Sequence, residues 1–328
     1  MIAFRHQFRS VALAVLCMVA VLKTTTVSAG PLTGELSIHD PSTIVECDGK
    51  YWVFGTERGI VSRWSKDLTN WVEGPRVFNT LPAWSTNVAA GFDGKFWAPD
   101  VIKLNGQFLL YYSVSSWGKR ESAIGLATSP TLNPDSPQHC WMDRGIVVST
   151  TSENNHNAID PSVMLDRDGR LWMAFGSYWT GIKLIELDAT TGLRIATNSP
   201  MYSLAWNESI EAANLYRRGD YYYLWVNWGQ CCRGTNSTYE IRLGRSETIT
   251  GPYLDRAGND MMERGGDLFL ASEGRRIGPG HAGIVRMGNQ DFFSYHYYNA
   301  ERRGRPHLEI VPLNWSAEGW PEITKPTP

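Results

Sequence analysis

Five times along this sequence a polar residue opens a short apolar stretch, a turn containing glycine follows, and an aromatic strand closes the unit. The copies begin Asp40-Pro-Ser-Thr-Ile-Val, Asp100-Val-Ile-Lys-Leu, Asp160-Pro-Ser-Val-Met-Leu, Glu211-Ala-Ala-Asn-Leu-Tyr and His281-Ala-Gly-Ile-Val. Their leading residues stand 60, 60, 51 and 70 positions apart. A period of about 60 residues suits four strands with their connections, which is one propeller blade. Asp48-Gly49, Asn105-Gly106 and Asp168-Gly169 are strong hairpin turn signals. Helical periodicity is missing, and runs rich in Tyr, Trp, Phe and Val are broken every ten residues or so. The pattern predicts an all-β, five-bladed β-propeller occupying residues 30–328 as one domain.

In a propeller the innermost strand of each blade lines a central channel. Asp40, Asp100, Asp160, Glu211 and His281 head the five units, so they are expected to converge on one end of that channel. Four of the five are acidic. Clustered acids repel one another, and a purely structural repeat gains nothing by keeping them. Chemistry gives them a use. One protonated and one ionised carboxyl group, on either side of a glycosidic bond, are sufficient to hydrolyse it. A third acid nearby raises the pKa of the proton donor. Carboxylates beside His281 also suit a metal. The spacing of a catalytic zinc site is absent, as are a serine-hydrolase elbow and a glycine-rich phosphate loop.

A formal net charge of −2 supplies no basic face, so neither nucleic acid nor an anionic membrane is an expected partner, and the expected state is a monomer. The 14 Trp and 14 Tyr suit a thick β core, with some left to stack on sugar rings. Residues 1–29 read as an export signal. Arg5, His6 and Arg9 precede an apolar run from Val11 to Leu22, and Val27-Ser28-Ala29 offers a cleavage site before Gly30. The expected location is therefore extracellular or periplasmic. The remaining cysteines, Cys47, Cys140, Cys231 and Cys232, permit two disulfides in three pairings. A ring between the adjacent Cys231 and Cys232 would be unusual, and their state stays open.

The segments His39-Asp40-Pro-Ser, Ala158-Ile159-Asp160-Pro-Ser and Ser209-Ile210-Glu211-Ala, in this order, resemble those of glycoside hydrolase family 43, the five-bladed propeller arabinanases and xylosidases. Phe96-Trp97-Ala-Pro-Asp100 and a closing Asn314-Trp315 with Gly319-Trp320-Pro strengthen the likeness, which spans essentially the whole mature chain. Ser115-Ser116-Trp117-Gly118, Cys231-Cys232-Arg233-Gly234 with Ser237-Thr238-Tyr239, and Gly278-Pro-Gly-His281-Ala-Gly look most like the endo-α-1,5-L-arabinanases. The resemblance implies an inverting mechanism on α-1,5-arabinan, with Asp40 as general base, Glu211 as general acid, and Asp160 tuning the acid and orienting the sugar. It also implies a calcium or sodium ion on the propeller axis at His281, reached largely through water. Family members commonly carry Gly or Pro after the acid, where this chain has Ala212-Ala213. Candidate substrate contacts are His39, Trp97, Asn157, Ser177 and Arg233. Competing readings are an exo-acting arabinofuranosidase or β-xylosidase on the same fold, and a catalytically silent carbohydrate-binding propeller.

Overall fold

Hairpins set the architecture. Both residues of Asp48-Gly49 take positive φ, 51° and 72°, and those of Asn105-Gly106 take 50° and 74°. That is a type I′ turn, whose twist matches the strands it joins and which Asp, Asn and Gly enter at least cost. Val45–Cys47 therefore returns antiparallel as Lys50–Gly55, and Lys95–Leu104 as Gln107–Ser115. The computed structural model describes Met1 and residues 31–324, so the expected export signal lies outside the described residues except for Met1.

The strands form five sheets in sequence order, the five blades of a β-propeller. Their first strands are Val45–Cys47, Lys95–Leu104, Ser162–Leu165, Ile210–Arg218 and Arg276–Met287. In blades 3, 4 and 5 each strand pairs with the next along the chain. Blade 1 gains Thr33–Gly34, parallel to its outer strand Asn70–Glu73, and blade 2 gains Glu57–Arg58 against its first strand. Among the described residues helix is confined to short turns such as Ser85–Val88. Among the described residues no helix is long and apolar enough to cross a membrane.

The aromatic second strands pack between blades. Five apolar clusters among the described residues each bridge one pair of neighbours. Trp52 and Phe54 meet Phe96 and Phe108, and Tyr111 and Leu126 meet Met173 and Phe175. Trp172 meets Leu224, Trp225 meets Phe293, and Trp71 and Val53 meet Phe292 and Leu308. Burying a side chain of this size contributes about 1.5–3 kcal/mol, so each seam is held by several such terms. The last seam closes the ring. Leu36 and Ser37 pair there with His307 and Leu308 of the blade 5 strand Arg305–Trp315.

At the head of every blade one residue enters the left-handed region: Asp40 (φ 49°), Ala98 (39°), Asp160 (57°), Ala212 (53°) and His281 (59°). In blades 2, 4 and 5 the pairing to the second strand slips at this point. The repeat aligned on polar residues is thus offset in two blades. The backbone equivalents of Asp40, Asp160 and His281 are Ala98 and Ala212, not Asp100 and Glu211.

Candidate active site

Asp40, Asp160 and Glu211 are 8%, 6% and 8% exposed, so three carboxylates are largely withdrawn from water at the blade heads. The bends that carry them are anchored from neighbouring blades. The Asp40 N–H donates to Nδ1 of His296, 3.2 Å away on blade 5. The Asp160 N–H donates to Ser113 Oγ at 3.0 Å, and the Ala212 N–H to Asp160 Oδ2 at 3.1 Å. The His281 N–H donates to Asn227 Oδ1 at 3.0 Å. Asp160 thus holds the turn that presents Glu211.

Asp40 is surrounded by groups that favour its charge. His39 Nδ1 lies 2.7 Å from Oδ2, and Thr56 Oγ1 donates to the same oxygen at 2.5 Å. His281 Nδ1 is 3.3 Å from Oδ1. Burial alone would raise the pKa of Asp40, but the charges and contacts of His39 and His281 overcome it and hold the carboxyl well below the usual range. His281 is pushed up to about 9: burial works against its charge, and Asp40, Asp160 and Glu211 outweigh that burial. His296, wholly enclosed and stacked on His39 at 4.4 Å, is lowered by burial and by the charge of His39, consistent with its ring nitrogen accepting the Asp40 N–H.

Glu211 and Asp160 are poised the other way. Burial raises Glu211, against the lowering effect of hydroxyl donors on both its oxygens: Tyr239 on Oε1, and Ser177 on Oε2 at 2.7 Å. Burial and then the Glu211 charge raise Asp160. Two carboxyls so placed ionise one at a time, and the pair keeps one proton well above the ordinary carboxylate range. The site therefore joins one firmly ionised carboxylate to a pair that retains a proton.

Asp100 does something else. Its Oδ1 accepts from the Thr43 N–H at 3.0 Å and its Oδ2 from the Val163 N–H at 2.8 Å. Two residues beyond its blade's left-handed bend, it staples blades 1, 2 and 3 together instead of joining the acids.

Of the other candidates, His39 touches both Asp40 and Tyr298, and Ser177 touches Glu211. Trp97 is partly buried, with its ring edge-on to Trp117 at 6.4 Å; Trp117 itself is 73% exposed and was not singled out as a platform. Asn157 is buried, and its carbonyl oxygen accepts from Ser122 Oγ, tying it to the strand Ser122–Ser129 of blade 2. Arg233 is exposed on the loop before Tyr239, and its charge reaches the Tyr178 hydroxyl. Sequence reasoning assigned no role to Tyr239, Thr56, His296 or Tyr298. A signal existed: Thr56, Ser113, Ser177, Asn227 and His296 form a second polar series in or just after the second strand of each blade.

For a cation, His39, Asp40 and His296 offer ligand atoms within 4.8 Å of one another. Those atoms are engaged with each other, with Thr56 and with the Asp40 backbone. His281 differs. Its Nδ1 sits at ion-pair distance from Asp40 Oδ1, and three carboxylates make its surroundings negative. A cation bound by the ring and water would replace the proton that these carboxylates hold there, so the residues fit one only with His281 neutral.

Residues 33–321 match the family described as Glycosyl hydrolases family 43. The chain is similar to the extracellular endo-α-(1→5)-L-arabinanase 1 of Bacillus subtilis, 42% identical over 292 residues and 87% of each chain. It is also similar to the extracellular exo-α-(1→5)-L-arabinofuranosidase of Cellvibrio japonicus, 41% identical over 303 residues, 88% of this chain and 87% of that one. Among solved structures, the α-L-arabinanase of Cellvibrio cellulosa complexed with arabinohexaose matches with a TM-score of 0.84 at 39% identity, over 88% of this chain and 96% of that one. With five blades, a buried acid cluster at their heads and relatives that are arabinanases, this chain belongs to glycosyl hydrolases family 43.

Proposed function

We propose that this chain is a secreted hydrolase of α-1,5-linked L-arabinan, endo-acting and inverting. The observation that carries the reading is the opposed poise of its carboxylates. Asp40 is kept ionised by His39 and His281, while Glu211 and Asp160 retain a proton between them. Hydrolysis with inversion needs that division of labour. Asp40 takes a proton from water as the water attacks the anomeric carbon. Glu211 protonates the departing oxygen. Asp160 raises the acid by repulsion, steadies its turn through the Ala212 N–H and faces the sugar being cleaved. His281, once neutral, would hold a calcium or sodium ion in place of its proton, with water completing the shell. Bound there, the ion supplies positive potential that steadies the clustered acids.

Support for endo action comes from the endo-arabinanase of Bacillus subtilis among the relatives. Trp117 and Trp179, 73% and 45% exposed, are open rings on which successive sugar units would stack. The names of the relatives in Bacillus subtilis and Cellvibrio japonicus support both arabinan and secretion, and the second keeps the exo reading alive. Linear arabinan and xylan, assayed in parallel for new reducing ends, test the proposal. Mixed oligomers at early times from arabinan alone are expected. Arabinose or one fixed oligomer would replace endo with exo, and cleavage of xylan would overturn the sugar assignment. Proton NMR of the first product should show the β-anomer; the α-anomer would contradict inversion.

A further inference from the structure

Cys231 and Cys232 are joined to each other, in the blade 4 loop between Tyr221–Trp228 and Glu240–Ser246. Such a ring adds little to stability, because a disulfide acts chiefly by closing a long loop of the unfolded chain and this one closes almost none. Its surroundings point to a different use. Cys232 takes a φ of 66°, and its backbone N–H donates to Tyr298 Oη at 2.8 Å. Tyr298 Oη is 2.7 Å from His39 Nε2, and His39 Nδ1 is 2.7 Å from Asp40 Oδ2. Cys232 Sγ also rests 3.8 Å from that Nε2. Tyr298 Oη accepts from the Cys232 N–H and shares a hydrogen bond with His39 Nε2, while His39 Nδ1 donates to Asp40. One polar chain thus runs from the disulfide across blades 4, 5 and 1 to a carboxylate. The loop ends on Tyr239, which donates to Glu211, and it is pinned by Thr238 N–H to Gln230 O at 2.9 Å and Arg233 N–H to Ser237 Oγ at 3.0 Å.

We propose that the Cys231–Cys232 disulfide is a positioning element that fixes the turn at Cys232, aims its N–H at Tyr298 and so holds His39 against Asp40. An ordinary side chain disfavours the left-handed conformation there. Tying two neighbouring side chains together removes the rotamers through which that turn would relax. The proposal rests on the reading of Asp40 as the base.

The test compares four proteins on a linear arabino-oligosaccharide: oxidised wild type, the Cys231→Ser/Cys232→Ser variant, Tyr298→Phe, and their combination. Wild type reduced with tris(carboxyethyl)phosphine is a fifth sample. In that reduction the S–S bond accepts an electron pair, water supplies two protons and the oxygen, and the phosphine becomes its oxide. Among the described residues Cys47 and Cys140 are already free, so the reductant has one bond to break. The expected result is a kcat about ten- to a hundred-fold lower after reduction or double substitution, with KM within about twofold. The melting temperature should not move. In the Tyr298→Phe background the cysteine substitutions should add little, since both changes cut one chain. Unchanged kcat on reduction, or losses that multiply with Tyr298→Phe, would overturn the proposal. If the serine variant fails to fold, the reduced wild type decides. If oxidised wild type does not cleave arabinan, the functional reading itself has failed; if it does and reduction is silent, only the positioning role has.

Discussion

Glu211 shows how finely single contacts set this site. It is buried, which favours its neutral form, yet Ser177 and Tyr239 both donate to it, which favours the charged form. A general acid works only while protonated, so activity falls as pH rises through its pKa. Ser177→Ala or Tyr239→Phe removes a donor to the carboxylate. The charged form loses support, the apparent pKa of the Glu211–Asp160 pair rises, and the alkaline limb of the kcat/KM profile should move to higher pH. A limb that moves down would contradict the acid role. The acids were legible in the sequence because each heads a repeat. Ser177 was legible only as a weak candidate, and Tyr239 not at all. Hydroxyl partners of this kind arrive from second strands and loops of other units, and the sequence lacks the distances that join them.

The blade-head bend is the recurring element. Its left-handed residue has its N–H tied to a polar side chain of another blade. Thr56 anchors Ala98, and also donates to Asp40. For the blade 4 bend the equivalent residue, Ser177 of blade 3, is given over to Glu211, and Asp160 anchors Ala212 instead. Turn residues such as Asp48-Gly49 were readable because their backbone demands match their chemistry. The bends were not, since Ala98 and Ala212 bear no mark of a positive φ. Aligning the repeats on polar residues therefore placed Asp100 and Glu211 one or two positions from their true backbone equivalents. Ala212 sits where glycine has no Cβ penalty. Ala212→Gly is expected to stabilise the fold by up to about 1 kcal/mol, less whatever the flexible unfolded chain takes back. Urea unfolding measures it, and a clear loss of stability would mean that packing of the Ala212 methyl outweighs the backbone.

At the scale of the molecule, the ring is closed by apolar seams between blades and by polar staples on its axis. The proposed base belongs to the closing seam: Asp40 from blade 1 meets His281 and His296 from blade 5. The count and order of the blades followed from the period of the repeat, because each unit buries its face only against the next. The Asp100 staple did not: the sequence leaves Asp100 outside the catalytic set, and only the fold brings the Thr43 and Val163 N–H groups of two other blades to it. Asp100→Ala would leave the Thr43 and Val163 N–H groups buried without acceptors, at a cost of about 1–3 kcal/mol each. Thermal unfolding should show a large drop while kcat/KM of the folded enzyme changes little. A large loss of kcat/KM at unchanged stability would instead move Asp100 into the catalytic set. The division of roles among the carboxylates is tested most directly by leaving-group dependence. Glu211→Ala and Asp40→Ala should be compared on linear arabinan and on a 2,4-dinitrophenyl arabinofuranoside, whose leaving group needs no proton. The expected result is that Glu211→Ala loses orders of magnitude on arabinan but retains much of its activity on the activated substrate, while Asp40→Ala is crippled on both. Equal losses of Glu211→Ala on the two substrates, or near-normal turnover of arabinan by either variant, would contradict the assignment.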